Sequence, residues 1–479
     1  MRLIDKATDG FMGSRAKGIQ PRTLEIMEDM GVLEPIHAGG ALYPKMGVHI
    51  GRATIPWTMI KTNKSSAAVP YPSTWLIPQW RTDRALHDRL RELGGRIEFN
   101  CAFEQMEQDE DGVNIRVASL TGEQIFRAKY VIGADGGSSS VRKSVGIAFV
   151  GETNDQDQML IVDAAVEGNL SRDRWHIWPL GGKFVGACPI PNSDLFQWMI
   201  KIDPAEGAPT TPEMITARVQ SRTKTNYRLT DIRWQSIFRP NIRIAESYRK
   251  GRVFLVGDAA HVHPPTGAQG LNTGLQDSYN LAWKIAQVVE GGTDALLDSY
   301  EAERQPVAST ALGLAGEKYD NIATMSPSSL KRGKDEYQLA ITYYGGPLAP
   351  KASASTETLR VGDRAPDARL AMPGTTSRLF EYFCGTHFTA IVYRRVPRGS
   401  FADIGWPANG ARLRVVAIES PTTVASVNCS DLNGNFRRTY GVSRPTTVIV
   451  RPDGYIAAIL PTPELRSIAS TITLATGMH

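Results

Sequence analysis

A short apolar run, Val253 to Val256, leads through Gly257-Asp258 into a Pro- and Gly-rich loop and then a long amphipathic stretch. That order constrains the fold more than any other feature of the chain. Consecutive apolar residues bounded by turn residues suit a strand buried on both faces, as in a parallel sheet. Asp258 then stands at the carboxyl end of the strand, where open α/β sheets hold their ligands. Pro264, Pro265, Gly267 and Gly270 interrupt regular structure. Beyond them Leu271, Leu275, Ala282, Ile285 and Val289 follow a helical pattern that stops at Gly291-Gly292. Strand, acid, glycine loop and helix start together offer backbone N–H groups and a positive dipole end to a polar ligand.

A second unit repeats the theme. Tyr130-Val131-Ile132-Gly133 reads as a buried strand delivering Asp135 and Gly136, completed by Ser139, Val141 and Arg142. At the start of the chain Arg2-Leu3-Ile4 reads as a strand end closed by Asp5. In a dinucleotide fold an acid so placed binds the adenosine ribose, about 20 residues beyond a G-x-G-x-x-G turn. That turn is absent from the sequence, and Gly133-Ala134-Asp135-Gly136-Gly137 does not fit it.

Between these units the segment Ser14 to Met27 runs from a polar loop into a helix, with Pro21 near its start. Arg15 and Arg22 flank that start and either meet an anionic group or are solvated. Ile77-Pro78-Gln79-Trp80-Arg81 leads into a helix expected over Asp83 to Leu93; Gln79 there is either a ligand contact or an ordinary polar residue at a helix start. Residues 45–76 read as short strands and loops, followed by strands at Ile97–Phe99, Val113–Val117 and Gln124–Ala128. From 151 to 238 the pattern alternates as in a β-rich substrate domain, with strands over Met159–Val166, Arg174–Trp178, Phe184–Pro189 and Gln197–Ile202. Its Trp175, Trp178, Trp198 and Trp234 either line an aromatic pocket or fill a sheet core. A helical region interrupted at Pro306 follows the long helix, and residues 326–358 read as a connector. A small α/β unit at 359–479 carries strands at Phe388–Tyr393, Leu413–Ile418, Thr446–Val450 and Tyr455–Leu460.

Composition narrows the function. The 479 residues are 42% hydrophobic, enough for real cores, and the net charge of +5 is spread along the chain. No nucleic-acid or membrane partner is expected from that balance. No apolar run suits a membrane span and the amino terminus lacks a signal-peptide core, so a cytoplasmic location is expected. Cys101, Cys188, Cys384 and Cys429 stand far apart without a C-x-x-C, which argues for buried thiols rather than zinc, iron–sulfur or a redox dithiol. No metal site is expected, since His261 and His263 lack a third ligand.

With both acid-bearing strands in view, the chain resembles the class A FAD-dependent monooxygenases, in the phenol- and polyketide-hydroxylating branch. GDAAHVHPPTGAQGLNTGLQD is similar to the second FAD motif of that family, and GADGGSSSVR to its Asp-Gly motif. SRAKGIQPRTLEI and IPQW resemble its flavin-contacting segments, and RVGDRAP with VIVRPDGYIAAIL resembles its thioredoxin-like tail. The resemblance implies a Rossmann-like FAD-binding domain in two parts, 1–150 and 239–325, with 151–238 inserted and a thioredoxin-like domain at 359–479. It implies that Asp258 binds the ribityl chain, that Gly257, Pro264, Pro265 and Gly267 shape the loop beside the flavin ring, and that Gly270, Leu271 and Asn272 offer N–H groups to the ring edge. Asp135, Gly136 and Arg142 would lie near the dinucleotide phosphates, Arg15 and Gln79 near the flavin, and Asp5 at the ribose. The implied reaction uses NAD(P)H and O2 to hydroxylate a small aromatic substrate through a C4a-hydroperoxyflavin. No acid or base residue is assigned, and a homodimer is compatible with the family.

Relative to that family the chain lacks about thirty residues, one βα unit with the first strand and glycine turn. Met1 is therefore expected to be an internal methionine of a longer reading frame, with neighbouring strands left partly unpaired. Two rival readings stand beside the monooxygenase. One is another flavin enzyme on the same scaffold, such as a reductase or a halogenase, although Trp175-His176-Ile177-Trp178-Pro179 has the wrong spacing for the halogenase signature. The other is a truncated relative serving as a binding or dimerisation module.

Overall fold

The computed structural model describes residues 1–461 apart from 52, 59–61, 155–156, 181, 264–268, 324–334, 352, 395–405, 407–411 and 423–424. Val253–Leu255 is fully buried and lies parallel to Val131–Gly133, in register from Val131↔Val253 to Gly133↔Leu255. Asp135 and Asp258 therefore leave neighbouring strands at the same end. Leu3–Ile4 lies parallel to Ile97–Glu98. Ile4 and Val131 pack on one apolar cluster, built on Cys101, Val113, Ile115 and Val117. That cluster sits on the antiparallel sheet Cys101–Gln108, Val113–Ser119, Gly122–Ala128. Among the described residues no strand joins Leu3–Ile4 to Val131–Gly133, and Leu3 and Ile132 are 39% and 46% exposed.

Two helices cover the parallel strands. Gly270–Val289 contributes Leu281, and Ala295–Ala323 contributes Leu297, Tyr300 and Ala308, to a core shared with Val253, Phe254 and Leu255. The second helix runs through Pro306, where the sequence predicted an interruption. Proline there removes a backbone donor, but the apolar contacts of Tyr300 and Ala308 on either side hold the helical path. The helix predicted over Asp83 to Leu93 begins earlier, as Gln79–Glu92, so Gln79 is its first residue.

The β-rich segment forms a seven-stranded sheet in the order Arg228–Phe238, Met159–Glu167, Phe196–Lys201, Val185–Pro189, Arg174–Trp178, Lys45–Ile50, Ala53–Trp57. Its last two strands come from the region the sequence assigned only to short strands and loops. Lys45–Ile50 joins in parallel to Arg174–Trp178, a long-range pairing that local alternation does not reveal. One face packs on the helix Pro212–Thr223 through Leu160, Val162, Trp178, Trp198, Ile215 and Val219. A second seven-stranded sheet, near the carboxyl terminus, contains the four strands expected there. Thr375–Arg378, Arg369–Met372 and Val427–Asp431 extend its edge. Its other flank packs Phe388, Val392 and Ala457 against Trp283 and Leu296 of the two long helices. No described helix is long and apolar enough to cross a membrane.

Candidate active site

The turn after Val253–Leu255 is held from beneath. Gly257 has φ +57°, a conformation that favours glycine, and its Cα packs so closely on the long helix that a Cβ on Gly274 would stand 3.0 Å away. Asp277, one helical turn further, is fully buried. Its Oδ2 accepts from Gly257 N–H (3.2 Å) and His261 Nε2 (2.7 Å), and its Oδ1 from Arg304 Nε (2.8 Å). Burial opposes ionisation of this carboxyl, but Arg304 and His261 outweigh it and hold Asp277 below the usual carboxylate range. The Arg304 guanidinium, itself fully buried, continues to Tyr343 Oη (3.0 Å) and the Thr273 carbonyl (3.2 Å). Asp258 is left exposed at the strand end. Its carboxylate accepts no hydrogen bond among the described residues.

The amino end of Gly270–Val289 meets the Arg15 segment through Asn272. Asn272 is 0% exposed, accepts from Gln20 N–H (2.8 Å) and donates to the Gly18 carbonyl (2.8 Å). The first-turn N–H groups of this helix, at Gly270, Leu271 and Asn272, lie outside its own hydrogen-bond ladder. Gln79 approaches from the other side, with its N–H on the Ser14 carbonyl (3.4 Å) and its Nε2 on Asp83 (3.4 Å). Arg15 is exposed.

The same segment is riveted to the inner face of the first seven-stranded sheet. Register aligns Trp234, Asp163, Gln197, Cys188, Trp175 and Met46 in one row across that sheet. Asp163, 1% exposed, accepts from the Ser14 N–H (2.6 Å) and Oγ (2.5 Å). Burial pushes its carboxyl up, against those hydrogen bonds and the nearby Lys17. Gln197 donates to Ser14 Oγ (2.6 Å) and accepts from Lys17, whose ammonium lies 4.9 Å from the Trp175 ring centre. Trp234 packs on Gly13 and edge-on to Phe11 (5.5 Å). Of the four tryptophans, Trp175 and Trp234 thus face the Phe11–Lys17 stretch, and Trp178 and Trp198 fill the opposite core.

The remaining expected residues fall as follows. Asp5 is exposed at its strand end and accepts from Ala7 N–H (2.8 Å). Asp135 accepts from Ser139 Oγ (2.5 Å), Ser140 N–H (2.7 Å) and Val141 N–H (3.0 Å). Its carboxylate therefore caps the helix Ser140–Ser144, and Gly136 makes the turn with φ +80°. Arg142 is buried and donates to the carbonyls of Ala259 (2.8 Å) and Gly137 (2.9 Å), tying the two acid-bearing loops together. Pro264, Pro265 and Gly267 lie outside the described residues.

Sequence inspection missed the buried polar residues. Asp277, Asn280 and Lys284 share a helix face with core residue Leu281 at i, i+3 and i+7, a spacing that could have marked them. Lys284 donates to Glu303 (2.8 Å), and Arg451 from the carboxyl-terminal unit forks onto Glu303 (2.7 and 3.0 Å) and reaches Asp453. The expected connector is also docked: Gln338 donates to Gln269 (2.6 Å) and accepts from Gln276 (2.6 Å) at the first turns of the long helix.

Residues 1–315 match the FAD binding domain family. The chain belongs to that family and is an oxidoreductase of its class A FAD-dependent aromatic hydroxylases. It is 37% identical to a flavin-dependent monooxygenase of Mycobacteroides abscessus, over 96% of this chain and 91% of that one. It is 30% identical to 6-methylpretetramide 4-monooxygenase of Streptomyces rimosus, over 96% and 86%. Among solved structures it resembles the anhydrotetracycline hydroxylase OxyS of Streptomyces rimosus, with TM-score 0.78, 27% identity, and coverage of 99% and 94%.

The residues present fit the flavin part of FAD. Asp258 supplies an exposed, unpaired acceptor for hydroxyls, the helix start supplies N–H donors, and Gly137 leaves a place where a Cβ would come within 3.2 Å of Val262.

Proposed function

We propose that the chain hydroxylates a small phenolic or polycyclic aromatic substrate, using FAD, NAD(P)H and O2. One observation carries this reading: a helix start clamped by Asn272 to the Arg15 segment, which is itself fastened to the inner face of the seven-stranded sheet. Flavin site and substrate face are thereby built from one continuous strip of chain. When bound, FAD supplies reduction by NAD(P)H, activation of O2 and delivery of one oxygen atom to the ring.

The chain's own residues set the surroundings of that chemistry. Asp258 would bind the ribityl hydroxyls, and Asp5 the adenosine ribose. The N–H groups of Gly270, Leu271 and Asn272 would stabilise negative charge on the ring edge through the helix dipole. Arg15 and Gln79 would border the flavin. Asp135, Gly136 and Arg142 would form the wall toward the dinucleotide phosphates, with Arg142 holding the wall in shape rather than presenting its charge. The apolar residues on the inner face of the sheet would orient the substrate and exclude water.

In this reading residues 1–150 and 239–325 form the FAD-binding domain, 151–238 the substrate domain, 326–358 the connector and 359–479 a thioredoxin-like domain. The substrates named for the relatives, anhydrotetracycline and 6-methylpretetramide, favour a fused-ring substrate here. The test is NAD(P)H oxidation by the FAD-loaded chain with a panel of phenols and fused-ring aromatics under isotopically heavy O2. Heavy oxygen in a hydroxylated product supports the reading. Oxidation that never depends on an aromatic, with no labelled product, refutes it.

A further inference from the structure

The inner face of the first seven-stranded sheet holds two unlike rows. Beside the polar row runs an apolar one, aligned by register as Ile161, Met199, Gly186, Ile177, Val48 and Ile55. Burial falls along it from Ile161 at 7% exposed to Ile55 at 47%. Gly186 keeps the middle of the row low, with the Met199 methyl lying across it. Such a strip suits the face of a planar ring system.

Two hydrogen-bond donors stand where the rows meet. Lys17 is 9% exposed; it gives one N–H to Gln197, hydrogen-bonds the Cys188 side chain and lays its charge partly over the Trp175 ring, so one further N–H remains. The Trp175 indole Nε1 is buried and has no hydrogen-bond partner among the described residues. It points to the glycine side of the strip, since a Cβ on Gly186 would lie 3.6 Å from it. A buried donor without an acceptor is destabilising, and an acceptor on a ligand removes that cost.

We propose that Lys17, with the Trp175 N–H beside it, binds an ionised oxygen of the aromatic substrate, and so selects acidic phenols and enols over neutral rings. This rests on the aromatic hydroxylase reading and deepens it. The titratable groups facing Lys17 are Asp163, from the strand Met159–Glu167, and Cys188, from Val185–Pro189. Asp163 gives its oxygens to Ser14, and burial keeps the Cys188 thiol protonated, so neither forms an ion pair with Lys17 that would displace a substrate oxyanion. An ionised oxygen also raises electron density on the ring, which is what transfer of an electrophilic oxygen requires.

Alizarin, a planar dihydroxyanthraquinone whose visible band moves when its phenol ionises, is the probe. It is titrated with pH while bound to the FAD-loaded protein in the absence of NAD(P)H. The expected result is ionisation about 1–2 pH units below that of free dye, the shift an adjacent cation produces. Lys17→Arg keeps the shift, Lys17→Met abolishes it, and Trp175→Phe, which deletes the N–H but keeps the packing, reduces it. Bound dye that titrates like free dye, or an unchanged shift in both Lys17→Met and Trp175→Phe, overturns the proposal while leaving the aromatic reading standing. No binding of alizarin or of any phenol or fused-ring member of the panel overturns both.

Discussion

Asp277→Ala removes the buried acceptor at the centre of the network beneath the Gly257 turn. The carboxylate gathers three donors on two oxygens: a guanidinium, an imidazole and the N–H of the glycine that turns the chain toward Asp258. Alanine leaves the Arg304 guanidinium without its counter-ion at a site with no exposure. Breaking a buried pair from one side costs about 3–5 kcal/mol. The orphaned Gly257 N–H and His261 N–H would each cost about 1–3 kcal/mol alone. All three share one acceptor, so the losses do not sum, and the ion-pair figure sets the expectation. Urea unfolding followed by tryptophan fluorescence should therefore show a loss of about 3–5 kcal/mol, with weaker FAD binding because the Gly257 turn is released. The double variant Asp277→Asn, Arg304→Gln keeps the shape and removes both charges, and should lose less than Asp277→Ala. Stability within about 0.5 kcal/mol of the parent in Asp277→Ala would refute the reasoning, since that is the range of a surface change.

Other expectations follow from the same geometry. Asn272→Ala removes both bonds between the long helix and the Arg15 segment; FAD affinity should fall by about tenfold or more while far-ultraviolet circular dichroism is unchanged. Folded His49 has its pKa lowered to about 4, by burial first and then by the charges of His176 and Arg174. An unfolded histidine titrates near ~6.5, so the unfolded chain binds the proton first and stability drops as pH falls from about 6.5 toward 4. His49→Phe should flatten that part of a melting-temperature profile. Glu303 is held down to about 2 by Arg451 and Lys284 in spite of its burial. Its contribution, present above the unfolded value near ~4.3, should be lost only as pH falls toward 2, and Glu303→Gln should remove that acid-side slope.

What the sequence reveals follows from the range of the interaction involved. The strands Val131–Gly133 and Val253–Leu255, the acids at their ends and the helix after the glycine loop are written in local patterns of polarity and turn residues, so they were legible. So was the Arg15 segment, through Pro21 at its helix start. The roles of individual polar groups were not. Asp135 and Asp258 sit in similar strand-end contexts, yet a serine four residues on turns Asp135 into a helix cap while Asp258 stays open. Arg142 looks like a phosphate ligand in sequence, but its bond to the Ala259 carbonyl, contributed 117 residues away, is a contact no local pattern shows. The Lys45–Ile50 pairing, the Asp277 and Glu303 networks and the row containing Lys17 depend on contacts between distant segments, which no local periodicity encodes.

The central claim is that the open carboxylate at Asp258 and the helix start beside it form a flavin site. Titration of FAD into the purified chain, followed by flavin fluorescence and visible absorbance, tests it most directly when Asp258→Ala is run alongside. The account predicts saturable binding of one FAD per chain, weakened about tenfold or more in the variant by loss of charged hydrogen bonds. No saturable binding, or equal affinity in the two proteins, would contradict it.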